Sequence, residues 1–174
     1  GLHAWYGSFL AIRNISLVIP QNRVTAVIGP SGCGKSTFIR CLNRMHEVVS
    51  RARVKGRVLI ANGEIYDHQQ LRTTLKKEHQ WQTNSDCEVL LYLYEEQGPE
   101  FLSKIDGIFA FCIYDPTTKE YFIARDHIGI VPLYIGWDQA GVMYVASEMK
   151  ALEPYCEKLQ EFPPGHYYVG YVGS

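Results

Sequence analysis

Residues 83–115 have the sequence TNSDCEVLLYLYEEQGPEFLSKIDGIFAFCIYD, and they contain the clearest secondary-structure signals of the chain. Ser85 and Glu88 have the spacing of a capping box, and Gly98 is a typical helix stop, so we predict a helix between them. Pro99 then favours a short helix that ends before Gly107. The β-branched and aromatic residues at 108–114 predict a strand directly afterwards.

On either side of this segment the pattern continues. Strands are predicted at 120–125, 132–136 and 142–147, with turn signals such as Asp115-Pro116 between them. Upstream, residues 62–67 predict a turn-rich start to a helix that carries Leu71 and Leu75 on one face. Taken alone, the Asn62-Gly63 pair is also typical of a plain turn, and Ser85 with Glu88 of a plain helix cap.

Nearer the N-terminus, residues 29–36 (GPSGCGKS) fit the pattern G-x-x-x-x-G-K-[S/T]. Strands are predicted at 12–19 and 24–28, the second deeply buried, and apolar residues from Phe38 to Met45 and Val49 predict a helix after the loop. Such a loop points backbone N–H groups at a polyphosphate, while Lys35 reaches the outer phosphates and Ser36 binds magnesium. A glycine-rich turn that binds nothing is the alternative.

We therefore predict a site for Mg-ATP or phosphate in this loop. Its predicted cofactor-binding residues are Tyr6, Gly29, Ser31, Gly32, Cys33, Gly34, Lys35, Ser36 and Thr37. The only predicted metal contact is that of Ser36 with the magnesium that accompanies ATP.

Residues 2–47 resemble the start of an ABC-transporter ATPase, most closely the phosphate-importer ATP-binding subunit. The resemblance implies that Tyr6 stacks on adenine, and a tyrosine that packs at a strand end is the alternative. After residue 59 nothing resembles that family's signature sequence, its strand ending in Asp-Glu or its switch histidine. Hydrolysis of ATP by the chain alone is therefore not expected.

Residues 61–72, 83–115, 124–138, 144–152 and 161–168 together resemble the glutaminase domain of asparagine synthetase, a class II, N-terminal-nucleophile glutamine amidotransferase. The resemblance implies part of an αββα sandwich. It also implies that Asn62 and Gly63 supply an oxyanion hole, and that Glu64 and Asp86 hold the α-ammonium group of glutamine.

The nucleophile of that family is an N-terminal cysteine, whereas this sequence begins with Gly1. Cys87 and Cys112 are expected to be buried apolar residues rather than substitutes. No complete set of catalytic residues is therefore predicted. Whether the chain is an enzyme stays open, and the missing cysteine argues against it. Glutamine is accordingly predicted to be a doubtful partner.

The two resemblances meet between Arg57 and Gly63. The predicted fold class lies between α/β and α+β, with a P-loop segment at 1–59 and a partial glutaminase-like domain at 60–174. A single merged core is the alternative, in which strands 12–19 and 24–28 fill empty places in the glutaminase layers. The predicted function is that of a chimeric or designed chain without complete catalysis that retains Mg-ATP or phosphate binding. A glutamine amidotransferase domain and an inert structural chimera are the alternatives.

The overall composition limits the classes of partner that the chain is expected to bind. With 174 residues, 47% of them hydrophobic, and a net charge of -1, the chain is globular and has no general field for nucleic acid. No apolar run reaches the roughly 20 residues that cross a bilayer, so no direct membrane insertion is expected. Five cysteines without C-x-x-C spacing predict free thiols in the cytoplasm, and six scattered histidines predict no structural metal.

Overall fold

The computed structural model describes residues 1–17, 26–42 and 51–171. The strands are β1 (Leu2–Tyr6), β2 (Phe9–Ile15), β3 (Ala52–Lys55), β4 (Val58–Ile65), β5 (Gly107–Asp115), β6 (Glu120–Arg125), β7 (Tyr134–Trp137), β8 (Met143–Ala146), β9 (Lys158–Glu161) and β10 (Tyr167–Tyr171). The α-helices are α1 (Lys35–Leu42), α2 (His68–Thr74) and α3 (Val89–Gln97). Short 3₁₀ helices span Asp86–Glu88, Gly98–Lys104 and Met149–Ala151.

A four-stranded antiparallel sheet in the order β10-β6-β5-β4 forms the centre of the larger part of the molecule. One of its faces packs against α2, α3 and the 3₁₀ helix at Gly98–Lys104. Phe101, Phe111 and Phe122 are fully buried there. Burying each such side chain contributes about 1.5–3 kcal/mol, so this aromatic cluster is a main source of stability.

The opposite face of this sheet packs against a three-stranded sheet in the order β8-β7-β9. Side chains alternate between faces along each strand, so Ala110 and Ile123 share a buried cluster with Ile135 of the second sheet while their sequence neighbours face the helices. The result is a helix layer, a sheet and a second sheet, which is a mixed α/β arrangement as predicted.

Residues near the N-terminus form a separate sheet in the order β2-β1-β3, and α1 packs on it. Leu2, Ala4, Ile12 and Cys41 are its buried core. The merged-core hypothesis is wrong for β2, because this strand pairs with β1 instead of entering either of the other sheets.

The prediction of a buried strand at 24–28 is also wrong for residues 26–28, which the structure describes. Residues 26–29 have no regular secondary structure, and Ile28 is 88% exposed. Residues 24 and 25 lie outside the described ranges, as do Met45 and Val49 of the predicted helix, which is described from Lys35 to Leu42. An isolated strand leaves its N–H and C=O groups unpaired, and no described strand lies beside 26–28 to pair with them. Within the described residues, the glycine-rich loop and α1 are thus not preceded by the buried strand that is expected of a P-loop.

Most elements predicted from residue 68 to residue 147 are confirmed, namely α2, α3, the 3₁₀ helix at Gly98–Lys104 and the strands β5 to β8. The turn predicted at 62–67 is wrong in its first half, because Asn62 to Ile65 complete strand β4. Strands β9 and β10 were not predicted. The two strands are short, with 4 and 5 residues. In β9 only one residue is partly buried and the others are exposed, so this strand shows little hydrophobic alternation.

Candidate functional site

Gly63 lies near the end of β4, the edge strand of the central sheet. The N–H of Tyr66 donates to Asp106 on the β5 side, whereas the N–H of Ile65 donates to the Asp86 carboxylate on the other side. In an antiparallel ladder this direction alternates, so the N–H of Gly63 points away from β5, like that of Ile65. Among the described residues no strand pairs with β4 on that side. The Gly63 N–H is therefore a donor directed outward at an open sheet edge.

The backbone at Gly63 requires glycine. Its φ is +128°, and a Cβ atom built there would lie 2.0 Å from the carbonyl oxygen of Ile108. The short distance comes from the close approach of β4 and β5, where Gly63 stands opposite Phe109. A side chain would force the strands apart, so the position of the outward N–H depends on the missing side chain.

Asn62 stands opposite Ala110, on the sheet face that looks toward the second sheet. Its Oδ1 atom is buried and has no hydrogen-bond partner within the described part of the chain. A buried amide group without a partner costs free energy, and such groups are uncommon in native structures. The side chain of Asn62 is therefore a polar group available to a ligand at the end of β4.

The structure brings Asp86 to the same end of the strand. Its Oδ2 atom accepts the Ile65 N–H at 2.7 Å, although the two residues are 21 positions apart in sequence. Glu64, the residue before Ile65, is exposed. The predicted positions Asn62, Gly63, Glu64 and Asp86 thus lie along one short segment of β4 and at the turn that contacts it.

The predicted capping box has a different geometry from the expected one. The Ser85 hydroxyl accepts the N–H of Cys87 at 3.3 Å, but the Glu88 carboxylate does not return to Ser85. Glu88 instead reaches further back and accepts the N–H groups of Gln82 and Thr83 at 2.7 and 2.8 Å. Glu88 has the role of a loop anchor, which the four-residue spacing alone did not distinguish from a cap.

A second residue missed from the sequence is Asp126, which is 2% exposed. Its Oδ2 atom accepts the N–H of Phe109 at 3.0 Å, and its Oδ1 atom accepts the N–H groups of Ile128 and Gly129. Phe109 is the register partner of Gly63. Asp126 therefore holds the stretch of β5 against which Gly63 packs, and an acidic residue immediately after the predicted strand 120–125 was the only sequence signal for it.

The residues of the glycine-rich loop bond mainly to one another. The Nζ atom of Lys35 donates to the carbonyl oxygens of Gly29 and Pro30 at 2.7 and 2.8 Å and lies 3.6 Å from Cys33 Sγ. Thr37 donates to the Tyr6 hydroxyl at 3.4 Å, which joins α1 to the end of β1. Ser31, Gly32 and Ser36 are exposed, and Gly34 passes close to the Ala11 carbonyl oxygen of β2.

The thiols differ in their surroundings. Cys33 is exposed, Cys41 is buried, and the other three are partly buried. Burial, together with the adjacent Asp86 carboxylate, raises the pKa of Cys87 to about 12, so this thiol is protonated at neutral pH. In the ranges that the structure covers, no group of three or more His, Cys, Asp or Glu side chains is arranged to hold a metal ion. Within those ranges, too, no helix combines the length and apolar character that a bilayer span requires.

Comparison with known proteins gives a consistent result. Residues 48–168 match the family model described as a glutamine amidotransferase domain. Asparagine synthetase B (glutamine-hydrolysing) of Escherichia coli strain K12 is 57% identical over 113 residues, which are 65% of this chain and 20% of that protein. Asparagine synthetase 2 (glutamine-hydrolysing) of Arabidopsis thaliana is 56% identical over 113 residues, or 65% of this chain and 19% of that protein. The chain thus spans about a fifth of the length of these relatives.

A solved structure shares the architecture. Glutamine phosphoribosylpyrophosphate amidotransferase from B. subtilis, complexed with ADP and GMP, superimposes with a TM-score of 0.56 at 30% sequence identity. The superposition covers 67% of this chain and 27% of that one. The central sheet with its helix layer and second sheet is therefore an arrangement of the N-terminal-nucleophile amidotransferase type.

These findings correct the predicted function. A chimeric or designed chain whose remaining property is ATP or phosphate binding is contradicted by the match over 48–168 and by relatives named as asparagine synthetases. The comparisons give no support to an ABC-transporter ATPase segment, and the buried strand that a P-loop follows is not seen at 26–28. The chain belongs to the glutamine amidotransferase domain family.

Proposed function

We propose that the chain supplies the glutamine-binding and oxyanion-stabilising groups of an amidotransferase, which cleaves the side-chain amide of glutamine to glutamate and ammonia. Asn62 beside Gly63 carries this proposal, because a buried side-chain oxygen without a partner in the described part of the chain and an outward N–H occur on consecutive residues. Glutamine, treated as doubtful on sequence grounds, becomes the ligand to test, since the relatives are named as glutamine-hydrolysing.

The chemistry follows from the placement of donors. Attack on the amide carbon of glutamine moves negative charge onto its carbonyl oxygen, and donors fixed in advance stabilise that charge. The Gly63 N–H is one such donor. The Asn62 side chain is the other, because rotation of its terminal amide exchanges Oδ1 for the Nδ2 donor. The backbone of both residues is held by strand pairing with β5, so apart from the rotation of that amide no reorganisation is needed when the charge appears.

Recognition of the amino-acid end of glutamine is assigned to carboxylates. Glu64 is exposed next to the two donors, and Asp86 lies at the same strand end through its bond to Ile65. Two carboxylates favour the cationic α-ammonium group over a neutral or anionic substituent at that place. The proposed arrangement therefore distinguishes glutamine from simple amides by its charge.

The nucleophile is not Cys87. Although this thiol adjoins Asp86, burial raises its pKa to about 12, and a protonated thiol is a poor nucleophile. The side chain also packs into the helix-side core, while Asn62 faces the second sheet. The described residues are accordingly assigned glutamine binding and oxyanion stabilisation, and Cys87 is not assigned nucleophilic attack.

Isothermal titration of the purified chain with glutamine tests the proposal. We expect saturable binding in the parent, clearly weaker binding in Asp86→Asn, and normal binding in the control Asn84→Ala, which alters an exposed asparagine. In a preparation that also forms glutamate, Asn62→Ala is expected to lower kcat by about 10²–10³. Absence of saturable glutamine binding, or binding that Asp86→Asn leaves unchanged, contradicts the proposed function.

A further inference from the structure

The carboxylate of Glu88 is unusually well satisfied for a residue without an ion-pair role in the proposed site. It is 6% exposed and accepts the N–H groups of Gln82 and Thr83 at 2.7 and 2.8 Å. It also accepts the Thr83 hydroxyl at 2.6 Å and the Tyr92 hydroxyl at 3.2 Å. All four donors are neutral groups, and three of them belong to the segment just before Asp86. Glu88 therefore ties that segment to the start of α3.

The bonds continue from Thr83 toward Asp86. The hydroxyl of Thr83 accepts the N–H of Ser85 at 3.2 Å, and the Arg72 guanidinium donates to the Ser85 carbonyl at 3.2 Å. Ser85 in turn accepts the N–H of Cys87. The backbone on both sides of Asp86 is thereby fixed, within a ring of contacts that Glu88 closes. Asp86 can adopt few positions while that ring is intact.

The guanidinium of Arg72 also lies over the Trp81 ring, 4.1 Å from its centroid. Trp81 meets Tyr92 edge to face at a centroid distance of 4.9 Å. Tyr92 donates to the Gln80 carbonyl at 2.8 Å as well as to Glu88. The same segment is thus covered by aromatic contacts, which exclude water from the bonds to Glu88 and strengthen them.

We propose that Glu88 is a positioning residue for glutamine recognition: its carboxylate holds the 82–85 segment so that Asp86 meets the α-ammonium group. This inference rests on the proposed function. Glu88 contacts Asp86 only through the intervening backbone and is not assigned any contact with substrate. Its effect is therefore on the preference for ligands that carry the ammonium group.

Glu96, in α3, provides a matched control. Its carboxylate accepts the N–H groups of Lys76 and Lys77 at 2.8 and 2.9 Å and bonds to His79 at 2.7 Å, so it anchors the distant end of the same connection. Both glutamates hold a loop by bonds to peptide N–H groups. Only Glu88 holds the part that adjoins Asp86.

The test compares glutamine with 4-carbamoylbutanoate, the same molecule without the α-ammonium group, by titration of the full chain. Glu88→Gln is expected to lower the preference for glutamine about tenfold, as for loss of a charged hydrogen bond, while Glu96→Gln leaves the preference unchanged. Asp86→Asn lowers the preference too, and the double variant Glu88→Gln with Asp86→Asn loses no more than Asp86→Asn alone. An unchanged preference in Glu88→Gln, or additive losses in the double variant, overturns the inference.

A ligand-free measurement separates this inference from the proposed function. Hydrogen exchange of the Ile65 amide, whose N–H bonds to Asp86, is expected to accelerate in Glu88→Gln but not in Glu96→Gln. If the parent fails to bind glutamine yet shows this pattern, the proposed function fails and the positioning of Asp86 stands. If Glu88→Gln does not fold, Thr83→Val removes the hydroxyl bond between Thr83 and Glu88, leaves the two backbone bonds in place, and is expected to accelerate Ile65 exchange to a smaller extent. Unchanged exchange in Thr83→Val overturns the positioning role.

Discussion

The Oδ2 atom of Asp86 accepts a hydrogen bond from the amide N–H of Ile65 at 2.7 Å, across 21 positions of sequence. This bond caps the open edge of β4 immediately beyond Gly63 and Glu64, and it joins that edge to the turn preceding α3. The Asp86 carboxylate also places a negative charge beside this strand edge. Both recognition and strand position therefore depend on the contact between these two residues.

Replacement of Gly63 by alanine is expected to destabilise the fold by about 3 kcal/mol or more, because the new Cβ would lie 2.0 Å from the Ile108 carbonyl oxygen at a φ of +128°. Gly141→Ala is the control. Gly141 also has positive φ, at +78°, but has no atom within 4 Å of the built Cβ, so its cost is about 1 kcal/mol. Urea unfolding of both variants measures the difference. Equal costs would show that strand contact at Gly63 is unimportant.

Asn62→Leu is expected to stabilise the chain by about 1 kcal/mol while removing the proposed oxyanion donor. The reason is that the buried Oδ1 of Asn62 has no partner within the described residues, and an apolar side chain of similar size removes that cost. Denaturant midpoints of the variant, with Asn84→Leu at an exposed position as the control, provide the measurement. A clear loss of stability in Asn62→Leu would mean that the amide has a structural partner.

Arg125→Met is expected to cost about 3 kcal/mol or more, because three backbone carbonyl groups lose their donors. The guanidinium of Arg125 donates to the carbonyl oxygens of Val131, Gly129 and Phe162 at 2.7–2.8 Å. Its ion-pair partner Glu161 has a side chain that is 59% exposed, so Glu161→Gln is expected to cost no more than about 1 kcal/mol. Thermal unfolding of the two variants distinguishes them. Similar costs would show that the ion pair, and not the carbonyl bonds, carries the effect.

The bond to Lys76 N–H, with further help from His79 and Lys77 N–H, lowers the pKa of Glu96 from 4.5 to about 2. A carboxyl whose pKa is lower in the folded than in the unfolded state adds stability above pH 4.5, and this contribution is lost as the pH falls toward 2. The stability difference between the parent and Glu96→Gln should therefore be constant near neutral pH and should shrink over that window. Urea midpoints measured from pH 2 to pH 7 check this; a constant difference throughout contradicts it.

Alkylation by iodoacetamide at pH 8 is expected to modify Cys33 in the native chain and to leave Cys87 unmodified until the chain is unfolded. Cys33 is exposed, whereas burial raises the pKa of Cys87 to about 12 and shields the sulfur. Peptide mapping by mass spectrometry, with a urea-denatured sample as the control, identifies the modified residues. Rapid native labelling of Cys87 would make that thiol a candidate nucleophile again.

The sequence alone determined the local elements whose signals lie within a few residues. Ser85, Gly98 and Pro99 mark the ends of consecutive helices, and the aromatic run before Asp115 forms β5, because caps and alternation act over short distances. The segments that form the candidate site were likewise identified by resemblance. The local pattern at 29–36 predicted a phosphate-binding loop, but the buried strand that such a loop follows is not seen at 26–28.

Tertiary structure decided the rest. The strand identity of Asn62 and Gly63 comes from pairing with β5, which overrides the turn preference of an Asn-Gly pair. The approach of Asp86 to Ile65, the anchoring of 82–83 by Glu88 and the support of Phe109 by Asp126 all join residues distant in the chain or reverse a local expectation. Such contacts arise when layers pack and buried polar groups must find partners, and that requirement is a property of the folded molecule as a whole.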